Sequence, residues 1–134
     1  MPGYDRSAVL VVEDDSDIRF GLEVLLKDEG YRALTAPNGR QALALLRSMS
    51  ELPGLILLDL MMPDMDGWEF RAEQRRDPRL ASIPVMVLSA AADLPRLTSK
   101  LGAVGVMQKP VHVEELLTQV KRLCPPPRRA GSYA

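Results

Sequence analysis

The sequence predicts an α/β domain, a parallel sheet with helices packed on both faces, and three observations predict it. Short apolar runs alternate five times with amphipathic stretches of helical period. The connections between them are short, as in α/β units. Carboxylates, a hydroxyl and a lysine stand where the apolar runs end rather than within them. Each strand-to-strand crossover needs a helix to return the chain, so strand-helix alternation implies a parallel sheet covered twice.

The elements follow in order. Ala8–Val12 reads as a strand, and Ser16–Glu29 carries Ile18, Leu22, Leu25 and Leu26 at helical spacing before stopping at Gly30. Tyr31–Thr35 precedes a helix from Asn38 or Gly39 to about Met49. Leu55–Leu58 then leads to Trp68–Arg76, Pro84–Leu88 to Leu94–Leu101, and Val104–Gln108 to Val113–Leu123. The first, third and fourth strands are the most apolar and are expected at the centre. Residues 1–6 are expected to be an N-terminal extension and residues 7–123 the domain. In residues 124–134, CPPPRRAGSYA, three prolines stop any helix and no apolar face follows, which predicts a disordered Pro/Arg tail or linker stump.

With 134 residues, 46% hydrophobic and 26% charged, the chain suits one domain with a real core. Its 17 Lys and Arg against 18 Asp and Glu give no basic surface for nucleic acid or an anionic membrane. Cys124 is the only cysteine, which excludes an internal disulfide and a zinc site built on several thiolates. MPGYDRSAVLVVEDD lacks the build of a secretory signal and no apolar run approaches a membrane span, so a cytoplasmic protein is expected.

The stretch LILLDLMMPDMDG poses the functional question. An apolar run buried on both faces stops on Asp59, because a charge inside it would be costly, and then turns through Pro63 and Asp66-Gly67. In a parallel sheet all strand C-termini share one rim, where ligands bind. That rim receives Glu13, Asp14 and Asp15 from the first strand, Asp59 from the third, Ser89 from the fourth and Lys109-Pro110 from the fifth. Taken singly these residues read as helix caps, turn formers or solvated charges, and His112 as a helix-start residue. Taken together they supply an acidic cage, a hydroxyl and an ammonium. Crowded carboxylates call for a cation, and Mg²⁺ takes oxygen ligands of this kind. A carboxylate nucleophile beside a metal, a lysine and a hydroxyl fits phosphoryl transfer to an aspartate.

At VLVVEDDSDIR, LILLDLMMPDMDG, IPVMVLSA and GAVGVMQKP the sequence resembles the receiver domain of bacterial two-component response regulators, from about Ser7 to Leu123. The resemblance implies a flavodoxin-like (βα)5 doubly wound sheet of strand order 2-1-3-4-5 in three α/β/α layers. It implies that Asp59 is the phosphoacceptor and that Asp14 and Asp59 ligate Mg²⁺, or Mn²⁺ in its place. Glu13 would reach the ion through water, and the Met61 backbone carbonyl would complete the site. Ser89 takes the hydroxyl role and Lys109 the cationic one, with a cis Lys109-Pro110 bond, while Asp15 lies outside the acidic pair as a surface or capping acid. The implied function is a phosphorelay switch rather than an enzyme with an outside substrate. Its expected partners are a sensor histidine kinase or phosphotransfer protein, and a downstream protein on the face of the fourth helix, fifth strand and fifth helix. A monomer or a weak phosphorylation-dependent dimer is expected.

Two departures from the family pattern bear on mechanism. Val106 stands where many receivers place a switching aromatic residue. Met61 and Ala91 stand at the positions that tune hydrolysis, and neither side chain can orient a water, so a long-lived phosphoaspartate is expected. Alternatives are a receiver portion of a larger regulator or hybrid kinase, a Mg²⁺-dependent phosphatase of the haloacid-dehalogenase type, and a scaffold whose phosphorylation is dispensable. The phosphatases place an acid two residues after the nucleophile, where this chain has Met61. Neither a dinucleotide-binding glycine fingerprint nor a P-loop follows the first strand.

Overall fold

The computed structural model describes residues 3–90 and 94–126. Ala91 and most of the expected tail lie outside the described residues. The elements are β1 (Gly3–Val12), α1 (Ser16–Asp28), β2 (Arg32–Ala36), α2 (Gly39–Ser48), β3 (Glu51–Asp59), α3 (Gly67–Arg76), β4 (Val85–Ser89), α4 (Leu94–Leu101), β5 (Gly105–Gln108) and α5 (Val113–Leu123). All strand pairs are parallel, in the order β2-β1-β3-β4-β5, as expected from the sequence.

Alternation along the central strands builds two cores. Leu10, Val12, Ile56, Leu58, Val85 and Val87 face α2 and α3 through Leu43, Leu46 and Phe70. Val9, Val11, Leu55, Leu57, Met86 and Leu88 face α1 and α5 through Leu22, Leu26, Leu116 and Val120. Both faces of the middle strands are thereby removed from water, which is why their sequences are continuously apolar.

Helix starts are fixed by side chains. The Asp15 carboxylate accepts from the Asp17 and Ile18 amides, and Asn38 accepts from Gln41. Asp66 and Glu69 form a reciprocal capping box at α3. Asp15 is thus a capping acid, and His112 is the α5 N-cap residue without a side-chain cap bond.

Two strands begin earlier than the apolar pattern predicts. Gly3, Tyr4 and Asp5 pair with Glu51, Leu52 and Pro53, so residues from the expected N-terminal extension belong to β1. These bonds are made by backbone and are indifferent to side-chain polarity. Pro53 is tolerated because β4 pairs with β3 only from Ile56 onward, where no ladder bond is asked of the proline. At Gly54 a Cβ would lie 3.1 Å from the Arg6 Cα and 3.2 Å from the Cys124 Sγ, so the irregular stretch of β1 passes too close for a side chain.

Candidate metal and phosphoryl-transfer site

Strand order reverses between β1 and β3, and the crevice at their C-terminal ends is where a doubly wound sheet binds ligands. Val12 is in register with Leu58, so one further residue on each strand brings Glu13 beside Asp59. The Glu13 amide donates to the Ala36 carbonyl at 3.1 Å, which extends the β1-β2 pairing past the strand end. Carboxylate oxygens of Glu13, Asp14 and Asp59 all lie within 4.8 Å of one another. Glu13 and Asp59 are buried and Asp14 is exposed, giving the cluster one open side.

Lys109 closes the cluster from the end of β5. Its Nζ donates to Glu13 Oε1 at 2.5 Å and lies 3.4 Å from Asp59 Oδ1. The Lys109 amide donates to the Ser89 carbonyl at 2.8 Å, and the Lys109-Pro110 bond is cis. Ser89 is buried at the end of β4, one residue past Leu88, the register partner of Asp59. Met61 lies over the site, its amide donating to Asp59 Oδ1 at 3.2 Å while its side chain is exposed. The loop can return this tightly because α3 starts with glycine. A Cβ at Gly67 would lie 2.7 Å from both the Asp59 carbonyl oxygen and the Leu60 Cα.

Electrostatics follow from this packing. Burial and the neighbouring Asp59 carboxyl push Glu13 up to about 7, against the opposing pull of Lys109. Burial lowers the Lys109 ammonium, but Glu13 and Asp59 outweigh it and the net direction is upward. Three oxygen donors with no imidazole or thiolate among them fit a hard divalent cation such as Mg²⁺.

The structure brings together Glu13, Asp14, Asp59 and Lys109, sets Ser89 on the adjacent strand end, and folds the Met61 backbone over Asp59. It also shows groups that motif reading did not single out. Arg19, one turn into α1, donates to the carbonyls of Glu13 at 2.9 Å and Asp14 at 3.3 Å. Beneath α3, buried Arg71 donates to the carbonyls of Leu101 and Gly102 and to Gln74 Oε1, while Gln74 Nε2 donates to those of Leu80 and Ile83. No sequence period flags these residues, because their partners are backbone carbonyls.

An acid-rich crevice with an aspartate at a central strand end and a lysine opposite defines a doubly wound α/β protein whose switch-point site is centred on an aspartate. Residues 9–121 match the model of the response regulator receiver domain family, and the chain belongs to that family. It is 37% identical over 118 residues to an uncharacterized 14.6 kDa protein of Leptolyngbya boryana, covering 87% of this chain and 88% of that one. It is 38% identical to the probable transcriptional regulator ycf27 of Galdieria sulphuraria, covering 87% of this chain but 44% of that one, so it spans under half of that longer relative. The response regulator TrrA of Thermotoga maritima, solved in complex with Mg²⁺-BeF, superimposes with a TM-score of 0.74 at 32% identity, covering 87% of this chain and 97% of that chain. Receiver domains are signalling switches of two-component systems, and among the described residues no helix is long and apolar enough to cross a membrane.

Proposed function

We propose that Asp59 accepts a phosphoryl group from the phosphohistidine of a sensor kinase or phosphotransfer protein and that the modified chain signals through a changed protein-binding surface. The observation that carries this reading is the Asp59 carboxylate at the β3 end, within 4.8 Å of the Glu13 and Asp14 oxygens and 3.4 Å from the Lys109 ammonium. An Asp59 oxygen forms the new O–P bond as the donor's N–P bond breaks, and the electron pair leaves on the imidazole nitrogen. Lys109 pairs with a phosphoryl oxygen and the Ser89 hydroxyl donates to another, offsetting charge as it redistributes. Asp14, Asp59, Glu13 and the Met61 carbonyl would hold Mg²⁺, which when bound would offset charge on the phosphoryl oxygens.

An apolar groove of about 810 Å³ between α1 and α5, lined by Ile18, Leu22, Leu25, Val113 and Leu116, reaches the site at Lys109. A helix of the phosphodonor lying there would bring its histidine within reach of Asp59. The output partner is a protein that contacts the α4, β5 and α5 face, without direct nucleic-acid contact from this chain.

Intact-mass measurement after incubation with acetyl phosphate and Mg²⁺ tests the reading. Wild type gains one phosphoryl group and Asp59→Asn gains none. Equal modification of the variant, or an unmodified wild type, overturns it.

A further inference from the structure

The three site carboxylates are held to different degrees. Glu13 is gripped by Lys109, and Asp59 accepts from the Met61 amide. Among the described residues, no hydrogen bond or ion pair holds the exposed Asp14 carboxylate, so its aim is set by the backbone that carries it. That backbone belongs to a short irregular link between β1 and α1, where neither ladder nor helix bonds fix every peptide.

Arg19 supplies the missing restraint. From one guanidinium nitrogen it donates to both the Glu13 and Asp14 carbonyls, the two peptides that carry the two carboxylates. The link is thus held at both ends: Asp15 accepts from the first-turn amides ahead of it, and Arg19 reaches back from the same helix to the carbonyls behind. Carbonyl groups oriented in this way turn their side chains toward the rim together. A lysine ends one bond short of the guanidinium's terminal nitrogen and so does not bring a donor to the same place between the two carbonyls.

We propose that Arg19 is a positioning residue for the divalent cation: by pinning the Glu13 and Asp14 carbonyls it presents their carboxylates as one site with Asp59. This rests on the receiver reading of that site, and it makes a prediction opposite in sign to plain electrostatics. A guanidinium beside an acidic cluster repels a dication, so if Arg19 acted by charge alone its removal would tighten Mg²⁺ binding. If it acts by position, removal weakens binding, by about 10- to 100-fold as for other residues that orient metal ligands.

The experiment is calorimetric titration of Mg²⁺ into the 134-residue wild type, Arg19→Gln and Arg19→Lys, with thermal unfolding recorded for each. The expected result is weaker Mg²⁺ binding in both variants while the unfolding transition stays cooperative. In parallel, modification by acetyl phosphate should need more Mg²⁺ to reach half-maximal rate yet approach the wild-type rate at saturation. Unchanged or tighter binding in folded Arg19→Gln overturns the proposal, as does a wild type that binds no Mg²⁺. Should one variant fail to fold, the other carries the test. A wild type that binds Mg²⁺ but takes no phosphoryl group would sink the phosphoacceptor reading alone, leaving the positioning role standing on the binding data.

Discussion

Replacing Gln74 with methionine, which keeps the side chain's length and volume but none of its hydrogen bonds, isolates the buried polar network under α3. Gln74 is fully buried; its Nε2 donates at 3.0 Å to each of the Leu80 and Ile83 carbonyls, and its Oε1 accepts from Arg71 at 2.8 Å. Gln74→Met leaves two carbonyls and one guanidinium N–H without these partners, where water enters with difficulty. At about 1 kcal/mol for each neutral bond and about 1.5 kcal/mol or more for the charged one, the loss is about 3 to 4 kcal/mol. For a domain of this size that lowers Tm by about 10 °C. Urea unfolding gives the free energies, and the denaturant slope should hold steady because the surface exposed on unfolding is nearly the same. Arg71→Met is the second arm of the cycle. Because each single change already breaks the Arg71–Gln74 bond, the double variant should fall short of the sum by about 1 kcal/mol or more. A Gln74→Met loss below about 1 kcal/mol, or strict additivity, would refute the view of these residues as one coupled network.

Two further outcomes concern the site. Glu13 is raised from 4.5 to about 7, so its neutral form favours the metal-free fold; that contribution is complete below pH 4.5 and is lost as pH rises through about 7. Mg²⁺ needs the carboxylate, so its affinity should rise across the same interval, and a calorimetric Kd that is flat from about pH 5 to about pH 8 would contradict this. The exposed Met61 side chain has no group to orient water toward a phosphoaspartate. Met61→Asn combined with Ala91→Glu should therefore shorten its half-life about tenfold, followed by mass over time, and an unchanged half-life would count against a water-orienting role at these positions.

The rim was legible in the sequence because its chemistry is written at strand ends. An apolar run that halts on Asp59 and another that halts before Glu13-Asp14 locate both carboxylate sets, and parallel alternation then brings them to one edge. What sequence could not show depends on chain segments far apart. Gly3–Asp5 gives no apolar signal, yet it is strand because Glu51–Pro53 lies alongside. Gln74 and Arg71 read as a polar helix face, yet they are buried with their bonds made to carbonyls of other segments, Leu80 and Ile83 for Gln74 and Leu101 and Gly102 for Arg71. Arg19 reads as an ordinary surface arginine until the carbonyls it binds are placed beside it.

Charge explains why this crevice suits a dication and then a phosphoryl group. Three carboxylates against the single Lys109 ammonium leave two negative charges in a cluster with one open side. Without metal, burial and the neighbouring Asp59 carboxyl favour a proton on Glu13, and that proton relieves part of the excess. A divalent cation relieves all of it, and so competes directly with the proton. The proposed phosphorylation would replace the Asp59 carboxylate with a more negative acyl phosphate beside the Lys109 ammonium, 3.4 Å away. The lysine is held meanwhile on Glu13 at 2.5 Å rather than on Asp59 at 3.4 Å. A cation held near Glu13 would draw on the same carboxylate charge that holds Lys109, and so would favour the ammonium turning toward the group proposed to arrive on Asp59.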